Sequence, residues 1–296
     1  MIPLPVRKNV GPYIGWLAHF YYFRILNNRH APQVLTLDQT LDGIIENKLS
    51  VIRFGDGEMM LMENISLSFQ ESSHELAVRL TEILRADAVG LLICIPGIWG
   101  DLGIFTKRSY WYAIHHLFRH RHSWLTRLSK TQIYGDAHIT RPYLGFKNKS
   151  KCKDFFFRLF TLWNNLDVVL IEGEKSRLGV GNDMFDNVKS LERIICPAEN
   201  AYDLYDKIKE AAYNISKDKM VLISLGPTAK VLAYDLFLAG YRVLDIGHID
   251  MEYEMFLRQE TELVKVPYKY FNEIGERNPD ECLDETYLNQ ITVRIK

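Results

Sequence analysis

The sequence predicts an α/β chain with a Rossmann-like, doubly wound, mostly parallel sheet and helices on both faces. Three observations carry this. Apolar runs such as Val89 to Ile95 and Asp167 to Glu172 lack polar alternation, the pattern of strands buried on both sides. These runs alternate with stretches of helical periodicity, which indicates parallel strands joined by helical crossovers. Four runs end in glycine-containing loops that also carry polar groups: Gly55-Asp56-Gly57-Glu58, Glu172-Gly173-Glu174, Ser224-Leu225-Gly226-Pro227-Thr228 and Asp245-Ile246-Gly247-His248. In an open parallel sheet such ends share one edge, and ligands bind there.

Taken in order, Leu37 to Asn47 reads as a helix and Ser50 to Phe54 as a strand stopped by Gly55. Ser73 to Arg85 reads as a helix with Ser73 as its N-cap. Val89 to Ile95 is a strand closed by Pro96-Gly97. Phe105 to Arg119 is an aromatic-rich helix, Thr131 to Tyr134 a short strand and Lys151 to Asn164 a helix. Asp167 to Glu172 and Leu191 to Cys196 are strands, and Ala201 to Ile215 a helix. Met220 to Leu225 is a strand, Thr228 to Ala239 a helix and Tyr241 to Ile246 a strand. The polar tail after Tyr268 carries a late strand at Ile291 to Ile295.

The bulk numbers narrow the function. A chain of 296 residues with 47% hydrophobic and 25% charged residues has the composition of a soluble globular protein. Its 36 Lys and Arg nearly balance 37 Asp and Glu, so no global charge draws it to nucleic acid or an anionic surface. A phosphate-bearing ligand therefore needs a local site. Cys94, Cys152, Cys196 and Cys282 have no zinc-type spacing and read as free thiols in a reducing compartment. The expected division is an N-terminal aromatic amphipathic segment, 1–36, and a single domain, 37–296. Residues 11–26 are too short and too polar to span a bilayer. Trp16, Phe20, Tyr21 and Phe23 suit packing on the chain's own core, a homodimer mate or a peripheral membrane contact. The stretch His115 to Lys130 is basic and reads as a solvated helix face and loop.

Arg53-Phe54-Gly55-Asp56-Gly57-Glu58 is the first chemical candidate. Asp56 and Glu58 can both offer oxygen to one hard cation, Mn2+ or Mg2+. Gly55 and Gly57 admit close backbone approach to a diphosphate, and the Arg53 fork suits phosphate. In Glu172 to Asp183, the residues Lys175, Arg177, Gly179 and Gly181 are placed to surround a phosphate or sugar. Asn182 and Asp183 sit where a helix would begin. The third glycine of a dinucleotide fingerprint is missing, which disfavours nicotinamide cofactors. Gly226, Thr228 and Lys230 frame a helix N-terminus, a ready anion site, although ordinary capping explains that turn as well. His248 is a candidate metal or phosphate ligand, and Asp250, Glu252 and Glu254 are candidate acid/base carboxylates. Trp99 is a candidate stacking residue and Arg141 a candidate donor contact; core packing or a surface ion pair accounts for them equally well.

Three segments together resemble a known family: Arg-Phe-Gly-Asp-Gly-Glu at 53–58, Glu-Gly-Glu-Lys-Ser-Arg-Leu-Gly-Val-Gly-Asn-Asp at 172–183 and Leu-Gly-Pro-Thr-Ala-Lys at 225–230. They look like the GT-D-type glycosyltransferases, long called domain of unknown function 1792, over about Leu37 to Tyr270. The resemblance implies a Rossmann-like nucleotide-sugar transferase with a metal-binding Asp-x-Glu, matched here by Asp56 and Glu58. It implies UDP-sugar donors, notably UDP-glucose, and glycan acceptors on bacterial serine-rich surface proteins or in polysaccharide synthesis. His248 and Glu254 fall where the family keeps late site residues. Residues 1–36 have no match in the resemblance.

The resulting expectation has a cation at Asp56, Glu58 and His248, and donor contacts from Arg53, Gly55, Gly57, Arg141, Lys175, Gly179, Asn182, Gly226, Thr228 and Lys230. Glu254 and Asp56 are the expected catalytic carboxylates, with Glu254 taking the acceptor's proton. The expected partners are a UDP-sugar and a glycan or glycoprotein acceptor, with no nucleic acid. The expected location is the cytoplasm, including the inner face of the membrane. A metal-dependent phosphohydrolase and a non-catalytic nucleotide-binding module use the same residues and are the alternatives.

Overall fold

Among the described residues nine short strands, the central ones largely apolar and buried, form a single sheet whose hydrogen-bonded neighbours all run parallel. The computed structural model describes residues 31–271, 273 and 279–296. The strands are β1 (Gln33–Val34), β2 (Ser50–Arg53), β3 (Leu91–Ile95), β4 (Ile133–Asp136), β5 (Asp167–Gly173), β6 (Ser190–Cys196), β7 (Met220–Ser224), β8 (Val243–Asp245) and β9 (Ile291–Arg294). Their order across the sheet is β1-β4-β3-β2-β8-β7-β5-β6-β9.

The helices are α1 (Leu37–Asn47), α2 (Asp56–Met62), α3 (His74–Leu84), α4 (Lys107–Arg127), α5 (Cys152–Phe160), α6 (Tyr205–Tyr213), α7 (Thr228–Leu238), α8 (Ile249–Leu257) and α9 (Glu285–Gln290). Two large apolar clusters separate them by face. On one face α2, α3, α6, α7 and the end of α4 pack through residues such as Met59, Leu80, Trp124, Ile208 and Leu232. On the other, α1, α5 and α8 pack through Leu41, Phe156 and Met251. All four cysteines are free and buried.

This topology places the crevice. The chain leaves β2 onto the face of α2 and leaves β8 onto the opposite face with α8. β2 and β8 are neighbours, with Val51 opposite Leu244. Loops departing to opposite sides of adjacent parallel strands leave a gap at their carboxyl ends, the topological switch point where such sheets bind ligands.

Several local expectations change. Gly55 to Glu58 is the entry to a helix rather than an open turn: Gly55 is the N-cap of α2, in extended backbone (φ −131°). His248 to Glu254 leads into α8, also unforeseen. No helix begins at Asn182 and Asp183, where the chain makes turns. The helix expected at Phe105–Arg119 starts at Lys107 and runs on to Arg127, since Trp124 faces the core and carries the apolar stripe forward. Gln33–Val34 pairs with β4, so the sheet reaches into the segment assigned to 1–36. The aromatic stretch 11–26 lies outside the described residues. Among those residues no helix is long and apolar enough to cross a membrane.

Candidate active site

The floor of the crevice between β2 and β8 is a buried set of two cations and two carboxylates. Asp245, the last residue of β8, is 1% exposed. Its Oδ2 accepts the Arg53 backbone N–H at 3.2 Å, and its Oδ1 faces Arg53 Nη2 at 3.3 Å. Arg53 Nε donates to the Asp245 carbonyl at 2.8 Å, and Nη1 donates to the Ala137 carbonyl at 3.2 Å. Lys230, one turn into α7, puts Nζ 3.0 Å from Glu58 Oε1, 3.2 Å from Asp245 Oδ2 and 3.1 Å from the Gly226 carbonyl. Glu58 Oε2 accepts the Gly55 N–H at 2.7 Å, capping α2. Burial alone would neutralise such groups. The charges around them outweigh it, so Asp245 stays below the usual carboxylate range and Lys230 above the usual ammonium value.

Gly247 is required here for two reasons. Its φ is +42°, and a Cβ would stand 2.0 Å from Arg53 Nη2. The Ser224 hydroxyl donates to the Gly247 carbonyl at 2.9 Å, tying the β7 and β8 ends together.

The mouth of the crevice carries a second set. Asp56, the first residue of α2, accepts a hydrogen bond from the Tyr112 hydroxyl of α4. Arg141 forms an ion pair with Glu273. Glu273, Glu252 and Asp56 outweigh burial and raise the Arg141 value, while Arg141 and His248 outweigh burial and lower that of Glu273. Glu252 is buried, accepts the Tyr143 and Leu144 N–H groups at 3.1 and 2.9 Å, and is pushed up by burial.

A third set lies on the α8 face. Lys269 Nζ meets both Asp250 oxygens at 2.9 and 2.7 Å and Glu254 Oε1 at 3.0 Å. Asn182 Nδ2 donates to Asp250 Oδ1 and Glu254 Oε1, each at 2.8 Å, and the Gly179 N–H donates to Asp250 Oδ1 at 2.8 Å. Arg258 Nε holds Glu254 Oε2 at 3.2 Å. Glu254 is thereby lowered, the cations and amide outweighing burial.

The structure thus redistributes the expected site. Arg53, Glu58, Lys230 and Gly226 form the crevice floor, with Gly55 at the cap and Gly57 in α2. Asp56, Arg141 and His248 belong to the mouth. Asn182, Gly179 and Glu254 form the third set, where their partners make them a structural knot. Glu254 is a poor proton acceptor in that knot, since protonation would forfeit two cations. Thr228 is fully buried and its hydroxyl donates to Gln70 Oε1 at 3.5 Å, which takes it away from a donor. The Lys175 carbonyl accepts the Tyr270 N–H at 2.9 Å. Trp99 packs into the core, its indole nitrogen buried without a hydrogen-bond partner. Tyr112 and Glu273 escaped sequence reasoning, and Asp245 was read only as a polar group of the Asp245–His248 strand end. Asp245 alone had a signal, a carboxylate closing an apolar strand.

A family model described as the glycosyltransferase GT-D fold matches residues 51–274, most of the chain. The chain belongs to the GT-D glycosyltransferase-fold family. The probable glycosyl transferase Gly of Streptococcus gordonii is 39% identical over 269 residues, covering 88% of this chain and 39% of that protein. Glycosyltransferase GlyD of Streptococcus pneumoniae serotype 4 is 37% identical over 268 residues, covering 89% of this chain and 32% of that one. The chain therefore spans about a third to two-fifths of the length of these GT-D relatives. A structure described as a new glycosyltransferase (DUF1792) from Streptococcus sanguinis superposes with a TM-score of 0.86 at 36% identity, covering 90% of this chain and all of that one. A structure of domain of unknown function 1792 superposes with a TM-score of 0.89 at 34% identity, covering 93% and 99%.

Proposed function

We propose that this chain transfers a hexose, glucose first among the candidates, from a UDP-sugar to a glycan acceptor in bacterial glycoprotein or surface-polysaccharide synthesis. Membership of the GT-D family and the glycosyltransferase relatives support glycosyl transfer. The observation that carries the reading to this site is the buried Arg53–Asp245–Lys230–Glu58 set beneath Asp56 at the switch point.

Among the described residues no three or more His, Cys, Asp or Glu side chains are grouped to hold a metal ion. Glu58 already has both oxygens engaged. This donor set is not a closed protein cage. It fits a hard cation such as Mn2+ or Mg2+ that takes one or two carboxylates and completes its shell with water and diphosphate oxygens. Asp56, and Glu58 once Lys230 releases it, would hold that cation, with His248 at the same mouth. When bound, the cation supplies Lewis-acid charge to the leaving diphosphate.

The chain's own residues supply the rest. Arg53 presents fixed positive charge to the diphosphate, and Lys230 adds its own once it releases Glu58. The N-terminal end of α7 adds its dipole beside Gly226. Arg141, held by Glu273, orients charge at the mouth. Cytoplasmic location, and contact of the N-terminal segment with a membrane or a second copy, belong to the same proposal.

A thermal-shift screen followed by a donor-hydrolysis assay tests this. UDP with Mn2+ should raise the melting temperature, whereas NAD, ATP or Mn2+ alone should not. Asp56→Ala should fold and lose metal-dependent hydrolysis of UDP-glucose. Glu58→Ala should lose it too, with added instability because Lys230 is left unpaired. Full activity in a folded Asp56→Ala protein would remove the metal assignment.

A further inference from the structure

The loops that follow β3 and β4 meet over a residue pair that the donor site leaves unused. Asp136 ends β4 and is 6% exposed. Its Oδ1 accepts the Gly97 N–H at 3.0 Å and the His138 backbone N–H at 2.9 Å, and lies 2.7 Å from His138 Nδ1. A carboxylate oxygen that close places the imidazole proton on Nδ1, leaving Nε2 as the basic nitrogen. The Gly97 nitrogen is also 3.4 Å from Nδ1, but its shorter bond goes to Asp136.

The ring is fixed as well as oriented. Phe105 packs against it with centroids 5.5 Å apart, and Phe146 edge-on at 5.8 Å. Phe105 and Phe146 are themselves joined by an antiparallel bridge. Gly97 is required at this junction, because a Cβ there would stand 2.2 Å from Asp136 Oδ2. The His138 side chain keeps 25% exposure despite these contacts. Among the described residues nothing hydrogen-bonds to Nε2.

The pair stands on the edge where the donor is proposed to bind. Strand β4 is two positions from β2, a lateral distance of about 10 Å. The Arg53 guanidinium donates to the carbonyl of Ala137, the residue between Asp136 and His138. By contrast Glu254 has both oxygens held by Lys269, Asn182 and Arg258.

We propose that His138, oriented by Asp136, is the general base that takes the proton from the acceptor hydroxyl. This rests on the glycosyltransferase reading. The acceptor oxygen bonds to the anomeric carbon as the bond from that carbon to the diphosphate breaks. The bonding pair leaves with the diphosphate, and the hydroxyl proton passes to His138 Nε2. Asp136 stabilises the imidazolium, which then returns its proton to water.

The test uses the full chain with His138→Gln, His138→Ala and Asp136→Asn. For His138→Gln, kcat for transfer should fall about 10²- to 10⁴-fold. Its donor KM and UDP affinity should stay within about threefold of wild type. The groups packed on the ring are Phe105, Phe146, Asp136 and the Gly97 amide, so the acidic limb of the kcat–pH profile should vanish with the imidazole. Added imidazole should restore part of the His138→Ala rate. Transfer by His138→Gln within about threefold of wild type, with the acidic limb kept, overturns the proposal. Equal losses of UDP binding and transfer also overturn it, since they mark a structural role. If His138→Gln does not fold, Asp136→Asn decides: a loss of about tenfold or more in kcat with UDP binding kept supports the pair, and an unchanged kcat overturns it. A wild type that turns over no nucleotide-sugar overturns both readings, whereas a transferring wild type with an active His138→Gln overturns this one alone.

Discussion

Lys230 has its charge matched twice over, by Glu58 and Asp245, at 8% side-chain exposure. Removing one member of a buried ion pair leaves the others uncompensated and costs about 3–5 kcal/mol. Lys230→Met should therefore lower the unfolding free energy by that order in urea titrations; a loss near zero would mean that water reaches the cluster. Asp245 adds a pH dependence whose sign follows from its lowered value. Its stabilisation is complete above the ordinary carboxylate value of about 4 and is lost as pH falls through the lower folded value. At this scale the sequence displayed the right residue types at the strand ends, and Arg53, Glu58 and Lys230 all proved to be in the crevice. It could not display their partners, because Arg53 and Asp245 are 192 residues apart. The pairing of Asp136 with His138 was not legible in the sequence, because it depends on the turn after β4 and on Gly97 in the loop after β3.

Helix α4 spans 21 residues and carries a buried histidine on its inner face. His116 Nε2 accepts the Trp124 indole N–H at 2.8 Å, which requires a neutral ring. Burial pushes His116 down to about 4. The unfolded chain therefore takes up a proton below about 6.5 that the folded helix rejects. Stability should fall by about 3 kcal/mol between pH 6.5 and 4 from this residue and level off below. Urea midpoints measured across that range should drop in wild type and flatten in His116→Gln; parallel curves would remove His116 as the cause. The helices missed in the sequence have physical explanations at the same scale. Gly55 and Gly57 lower helix propensity at the start of α2, which concealed the Gly55-x-x-Glu58 cap. In Ile249 to Glu254 apolar and acidic residues alternate with period two, which suits a strand. The structure makes it α8, with Asp250, Glu252 and Glu254 all buried and partnered.

At the scale of the whole molecule, the alternation of apolar runs with helices made the parallel α/β class legible. Strand order was not, because crossovers of similar length can reach either side of a sheet. The order matters most between β2 and β8, where the chain departs to opposite faces and opens the crevice. Everything proposed about chemistry depends on that crevice taking a nucleotide-sugar and passing its sugar on. The most direct measurement is product analysis by mass spectrometry, with the full chain, Mn2+, a panel of UDP-sugars and simple acceptor glycosides. The account predicts an acceptor heavier by one hexose, formed in step with UDP release and fastest with UDP-glucose. Consumption of donor to free sugar at a rate indifferent to the acceptor, or tight UDP binding with no donor consumed, would contradict it.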